Sequence, residues 1–172
     1  MPAIGGWRRN IDAELSRAAS RELRLPERLR QAIHYSLTGE GKRLRGLLLL
    51  AAYDAVGGTG DASPLAAAVE IVHAYSLVHD DLPCMDNDSM RRGRPTTHKA
   101  FSVPLATIAG VAMVPLAVCQ TVEGARRLGL DESVARRLVG MLMHASGASG
   151  MVGGQLMDLN GEGVSLSQAE LE

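Results

Sequence analysis

Apolar residues recur at helical spacing along almost the whole chain, and no stretch alternates apolar with polar residues long enough to make a sustained strand. Trp7, Ile11, Leu15, Ala19 and Leu23 recur every four residues and give one apolar stripe. Pro26 is placed to open a second helix, with Leu29, Ile33 and Leu37 as its stripe. A third run, from Lys42 to Val56, stops at Gly57-Gly58. Ser63-Pro64 reads as an N-cap followed by proline at the first helical position, and the pattern then continues to Asp81, where Pro83 ends it. Asp131 is placed to cap another helix, with Val134, Leu138 and Leu142 inward and Arg136 and Arg137 outward. The pattern predicts one all-α unit over residues 1–172, without internal repeat or linker.

Composition removes several alternatives. At 172 residues and 46% hydrophobic, the chain is too apolar for disorder. Eighteen Lys+Arg against 19 Asp+Glu give a net charge of −1, too balanced for a general polyanion binder, so no nucleic-acid partner is expected. Cys84 and Cys119 cannot build a disulfide scaffold, which points to a reducing cytoplasmic setting. The N-terminus lacks the apolar core of a signal peptide. Between Lys99 and Glu123 lie 23 uncharged residues, long enough to span a bilayer. They include Gln120, Thr121, Pro104 and Pro115, and a buried core helix explains them equally; no membrane span is expected. Ser167 and Glu170 form a capping-box pattern two residues from the end, which reads as a helix cut short within a larger fold.

Chemistry concentrates between His73 and Lys99, where acids precede bases. Asp80 and Asp81 close an apolar helix, where the helix dipole disfavours carboxylates unless a cation compensates. Together with Asp86 they offer the oxygen ligands that Mg²⁺ prefers, the rest of its shell coming from water and phosphate oxygens. Arg91, Arg92, Arg94 and Lys99 follow and suit those phosphates. The alternative is a self-neutralising surface loop of weak ion pairs. A calcium loop counted from Asp86 is excluded, because its sixth and twelfth positions are Arg91 and Thr97.

A second basic group, Gly41-Lys42-Arg43-Leu44-Arg45, stands where a helix begins, and cations there make sense if an anion binds. Lys42 and Arg45 are three apart and are expected to share a helix face. His73, Leu77 and Asp80 stack at i, i+4, i+7, which puts His73 on the side of the first carboxylate; Tyr75 and Ser76 lie about a turn below. Gln155 and Asp158 share a face beyond a Gly/Ala-rich stretch, whose small residues are expected to permit close helix approach.

Four segments, VHDDLPCMDNDSMRRGRPTTHK, GKRLRGLLLL, AVEIVHAYS and ASGASGMVGGQLMDL, resemble the motifs of trans-type polyprenyl diphosphate synthases, in family order. The likeness is strongest to bacterial farnesyl and geranylgeranyl diphosphate synthases. The resemblance implies an all-α terpenoid-synthase (isoprenoid synthase) helical bundle around a central cavity, usually homodimeric. It implies Mg²⁺-dependent (or Mn²⁺-dependent) condensation of isopentenyl diphosphate with an allylic diphosphate, dimethylallyl or geranyl, to a short-chain product, farnesyl diphosphate before geranylgeranyl diphosphate. Asp80, Asp81 and Asp86 would be the catalytic, metal-binding acids, with Asp80 and Asp86 the main ligands. Arg91 would contact the allylic diphosphate; Lys42, Arg45, His73 and Arg92 would hold isopentenyl diphosphate; Gln155 and Asp158 would lie near the allylic end. Tyr75 stands where a bulky residue floors the elongation pocket, with Ser76 beside it.

The departures from the family pattern are specific. The likeness covers the first half or slightly more of the family's length, and a second aspartate-rich motif is absent. Ser89 replaces a usual Asp, Gly46 a usual Pro, and Val111 the Asp of Gly-Asp-Ala-Leu, while Pro115 is expected to interrupt that helix. These leave room for a second reading, a truncated non-catalytic partner of a complete synthase.

Overall fold

A computed structural model describes residues 2–21, 25–161 and 168. Helices dominate: α1 (Pro2–Arg21), α2 (Glu27–Leu37), α3 (Leu44–Ala55), α4 (Ser63–Asp80), the short α5 (Thr97–Ala100), α6 (Val103–Arg127), α7 (Glu132–Ser146) and α8 (Met151–Gly161). The β1 (Met90–Arg91) and β2 (Arg94–Pro95) strands form a two-residue antiparallel hairpin with Met90 opposite Pro95 and Arg91 opposite Arg94. Strands this short leave no alternation to read.

The α4 and α6 helices form the centre, with α1 and α3 packed on α4 and α2, α5 and α7 on α6. Their shared face is built from small side chains: Ala66, Ala67, Ala106, Ala109 and Ala117 are fully buried, with Ile71 and Met113 filling the spaces between. Small residues let helix backbones approach, so a tight pair forms without large apolar groups. Ile11 and Leu15 of the α1 stripe and Ile33 and Leu37 of the α2 stripe close the core from the other side. The C-terminal half of α1 is fastened to α6 by a buried carboxylate: Glu14 accepts from Gln120 Nε2 at 3.0 Å and from Arg127 Nη1 at 2.6 Å. Those donors offset the cost of burying its charge.

Caps follow local chemistry. Asp131 accepts from the Val134 N–H at 2.9 Å, as its position predicts, and Ser102 caps α6 through the Leu105 N–H. Ser63 is the first residue of α4 rather than its cap; Asp61 Oδ1 takes its N–H at 3.0 Å. The α3 helix begins at Leu44, not Lys42, because Arg43 adopts a left-handed backbone with φ 50°. Pro115 does not interrupt α6, which runs unbroken from Val103 to Arg127. Its missing N–H faces the exposed side of the helix, where water can reach the Val111 carbonyl left over. The glycines after α7 serve a tight turn into α8: a Cβ at Gly150 or Gly153 would overlap the carbonyl of Ala145 or Ala148. Leu23, Ser167 and Glu170 lie outside the described residues.

The 103–127 helix is long and apolar enough to cross a membrane. Ten of its residues are nonetheless buried against the rest of the fold.

Candidate active site

The acidic loop grows out of the C-terminal end of α4. Asp80 is the last helical residue and Asp81 the C-cap; the chain then folds back so that the Asp86 N–H donates to the Asp80 carbonyl at 2.9 Å. That closure brings the Asp80 and Asp86 carboxylates near each other. Burial, then the Asp86 charge, pushes the Asp80 carboxyl above its ordinary range, and no cation pairs with either acid among the described residues. Like charges held together, with the Arg91 charge opposing them only in part, fit a divalent cation whose remaining ligands are water and phosphate oxygens.

Asp81 departs from the expectation that it joins them. Its side chain is 4% exposed and its Oδ1 accepts from both Nε and Nη2 of Arg91 at 2.7 Å. Arg91 Nη2 also reaches Asp88 Oδ2 at 3.4 Å. The reason is helical phase. His73, Ala74, Leu77, Val78 and Asp81 line one small cavity, so the carboxylate sharing it with His73 is Asp81, eight residues on, rather than Asp80. Among the described residues no three His, Cys, Asp or Glu gather into a metal cage. Asp80 and Asp86 make no ion pair among the described residues, and Asp81 orients Arg91.

The loop carrying these groups is pinned from below. Thr96 Oγ1 donates to the Asp88 carbonyl at 2.8 Å. Its single hydrogen being used there, the 3.2 Å contact with His98 makes Nδ1 of that buried imidazole the donor. His98 Nε2 is left a buried acceptor without a partner among the described residues. Arg94 lines the smaller cavity and stacks on the Tyr35 ring at 4.0 Å, while the Tyr35 hydroxyl donates to the Pro95 carbonyl. Both fasten the hairpin to α2.

Lys42, Arg45, His73 and Arg92 come together around one cavity of about 560 Å³, which adjoins the smaller one. Lys42 and Arg45 do not share a helix face, since Lys42 precedes α3; the turn at Arg43 brings both to the cavity instead. Arg43 itself is spent on structure. It pairs with Asp12 at 2.7 Å and donates to the carbonyls of Leu37 and Gly39. Arg92 Nη1 donates to the Glu40 carbonyl at 2.9 Å, passing so close to Gly41 that a Cβ there would stand 2.7 Å from it. Glu70, buried on α4, accepts the Gly46 N–H at 2.9 Å and so binds the start of α3 to the helix that carries His73. A proline at position 46 has no N–H to give. His73 is pushed down to about 4 by burial and by the Arg45, Arg92, Arg91 and Arg43 charges, so it is neutral at pH 7.

Four further residues lie away from these two cavities. Tyr75 and Ser76 do not line these cavities. Tyr75 is buried in the core, edge-on to His79 with ring centroids 5.3 Å apart, and Ser76 Oγ donates back to the His73 carbonyl. Gln155 and Asp158 share a face of α8 as predicted, but α8 packs on α7 and neither residue reaches the two cavities.

Residues 26–172 match the polyprenyl synthetase family. The chain is 44% identical over 163 residues to farnesyl diphosphate synthase of Geobacillus stearothermophilus, covering 94% of this chain and 54% of that protein. It is 43% identical over 151 residues to the large subunit 1 of a heterodimeric geranylgeranyl pyrophosphate synthase of Arabidopsis thaliana, covering 87% and 41%. The crystal structure of a geranyltransferase from Legionella pneumophila superposes with a TM-score of 0.92 at 35% identity, covering 99% of this chain and 60% of that one. An FPP/GFPP synthase from Zymomonas mobilis gives 0.84 at 37% identity, covering 98% and 63%. The chain spans about half the length of the curated relatives it matches. With motifs, helical architecture and family match in agreement, this chain belongs to the polyprenyl synthetase family.

Proposed function

We propose that this chain forms the isopentenyl-diphosphate pocket and the first metal-binding motif of a short-chain prenyl diphosphate synthase, with farnesyl diphosphate as its product. The observation that carries this reading is the junction of two cavities, one walled by Lys42, Arg45, His73 and Arg92, the other by the Asp81–Arg91 pair at the end of α4. Two diphosphates must lie side by side in such a reaction, and adjoining basic and acidic-basic cavities suit them.

Asp80 and Asp86 would hold Mg²⁺, or Mn²⁺, which when bound neutralises charge developing on the departing diphosphate. Arg91, aimed by Asp81, would grip the allylic diphosphate, and Gln155 and Asp158 would lie near its far end. Lys42, Arg45, neutral His73 and Arg92 would hold isopentenyl diphosphate, whose double bond attacks the allylic carbon. The C–O bond to the diphosphate breaks, a C–C bond forms, and a proton leaves. Preorganised cations in a partly water-excluded site make such a step cheaper by several kcal/mol. Tyr75 and Ser76 would set product length from beneath Asp80.

Three further attributes belong to the same reading. The exposed apolar stripe of α6, with Ile108, Val111, Cys119 and Val122, supports a homodimer contact. The burial of the opposite face supports a core helix rather than a membrane span. Free, exposed Cys84 and Cys119 support a cytoplasmic location.

The test is Mg²⁺-dependent formation of a C15 diphosphate from isopentenyl and dimethylallyl diphosphate. A version extended to the relatives' full length is expected to turn over and the 172-residue chain to give little product. Asp80→Ala in the extended version is expected to abolish turnover, and normal activity in that variant would falsify the metal assignment.

A further inference from the structure

We propose that Arg8, on α1, is a substrate-positioning residue of the basic cavity, gripping the loop that builds the cavity and presenting its spare N–H groups to the diphosphate bound there. The inference rests on the reading of that cavity as a diphosphate pocket.

Three consecutive carbonyls of the loop before α3 are each taken by a different arginine. Gly39 accepts from Arg43, Glu40 from Arg92, and Gly41 from Arg8 Nη2 at 3.1 Å. The three guanidiniums come from three separate places: the α3 cap, the hairpin and α1. A row of carbonyl oxygens beside an anion pocket repels the anion, and each capped oxygen removes part of that repulsion.

The three are not equivalent. Arg43 has its charge balanced by Asp12 and is 10% exposed, so it offers little to a ligand. Arg8 makes no ion pair among the described residues, is exposed, and lines the same 560 Å³ cavity as Lys42, Arg45, His73 and Arg92. One of its five N–H groups is committed to Gly41; the planar fork leaves others for phosphate oxygens at the rim. An ammonium has the charge but not the fork. Arg8 reaches the pocket from the N-terminal helix α1, which precedes the segment 26–172 that matches the family model.

The experiment is calorimetric titration of the 172-residue chain with inorganic pyrophosphate, at low and at moderate salt. Wild type, Arg8→Ala, Arg8→Lys and Arg45→Ala are compared, with Arg136→Ala on α7, paired to Glu132, as a remote charge control. Arg8→Ala is expected to weaken binding roughly 5- to 20-fold and to flatten its salt dependence. Arg8→Lys is expected to recover the salt dependence but only part of the affinity, and Arg136→Ala to match wild type. A residue that only braced the loop would leave the salt dependence unchanged, and that outcome overturns the proposal. So does wild-type affinity in Arg8→Ala when Arg45→Ala binds weakly. If wild type itself takes up no pyrophosphate, the reading of the cavity fails and this inference fails with it.

Discussion

Gly110 sits where α6 meets α4, against the imidazole of His79, whose Nε2–H donates to the Thr107 carbonyl at 3.2 Å. A Cβ at position 110 would overlap that ring. In Gly110→Ala, either the ring turns away and loses its hydrogen bond, about 1 kcal/mol, or the helices separate, at about 1–3 kcal/mol for overpacking. Alanine returns about 0.5–1 kcal/mol through better helix propensity, which leaves a net loss of up to about 2.5 kcal/mol. Gly140, inside α7, has nothing within 4 Å of its would-be Cβ. Gly140→Ala therefore keeps the propensity gain alone and should stabilise by about 0.5–1 kcal/mol. For a chain of this length 1 kcal/mol moves Tm by about 2–4 °C, so the two substitutions are expected to shift melting in opposite directions. Thermal unfolding followed by circular dichroism reads both. A Gly110→Ala protein that melts with Gly140→Ala, above wild type, would mean that the α4–α6 contact is not packed as described.

His73 gives a pH signature. Its folded pKa of about 4 lies below the ordinary 6.5, so between those values the unfolded chain takes the proton first. This contribution to stability is complete above about pH 6.5 and is lost as pH falls toward 4. NMR titration of the His73 ring should report the low value, and pyrophosphate in the cavity, by cancelling the surrounding arginine charge, should raise it; an unmoved titration would place the anion elsewhere. Tyr75→Ala in a full-length version should lengthen the product, read by chromatography of the hydrolysed prenyl alcohols, and an unchanged C15 product would remove Tyr75 from chain-length control. Glu70→Leu should weaken pyrophosphate binding by freeing the start of α3, whereas Glu70→Gln, which keeps an acceptor for the Gly46 N–H, should retain more of it. Equal losses in the two variants would show that the carboxylate charge, not the bond, is what matters.

Helix identity was legible because it depends on near neighbours. The spacing of Ile11, Leu15 and Ala19, the cap at Asp131 and the stop after Asp81 are each local facts, and the described residues agree with them. The acidic loop was legible for a related reason: carboxylates at a helix C-terminus are unfavourable alone, so their presence announces a compensating charge. Pro115 misled because a proline's effect depends on which side of the helix it occupies. On an exposed side, water accepts what the lost N–H leaves behind.

The order of side chains along each helix, the type of each element and the acid-then-base chemistry of residues 80–99 are properties of the sequence alone, since they are set within a few residues of chain. Tertiary structure decided the pairings: that Arg91 serves Asp81, that Lys42 reaches the cavity through a turn at Arg43 rather than along a helix, and that Arg8 arrives there from α1. Those outcomes depend on where separate helices come to rest, and no local periodicity encodes a distance of 33 residues.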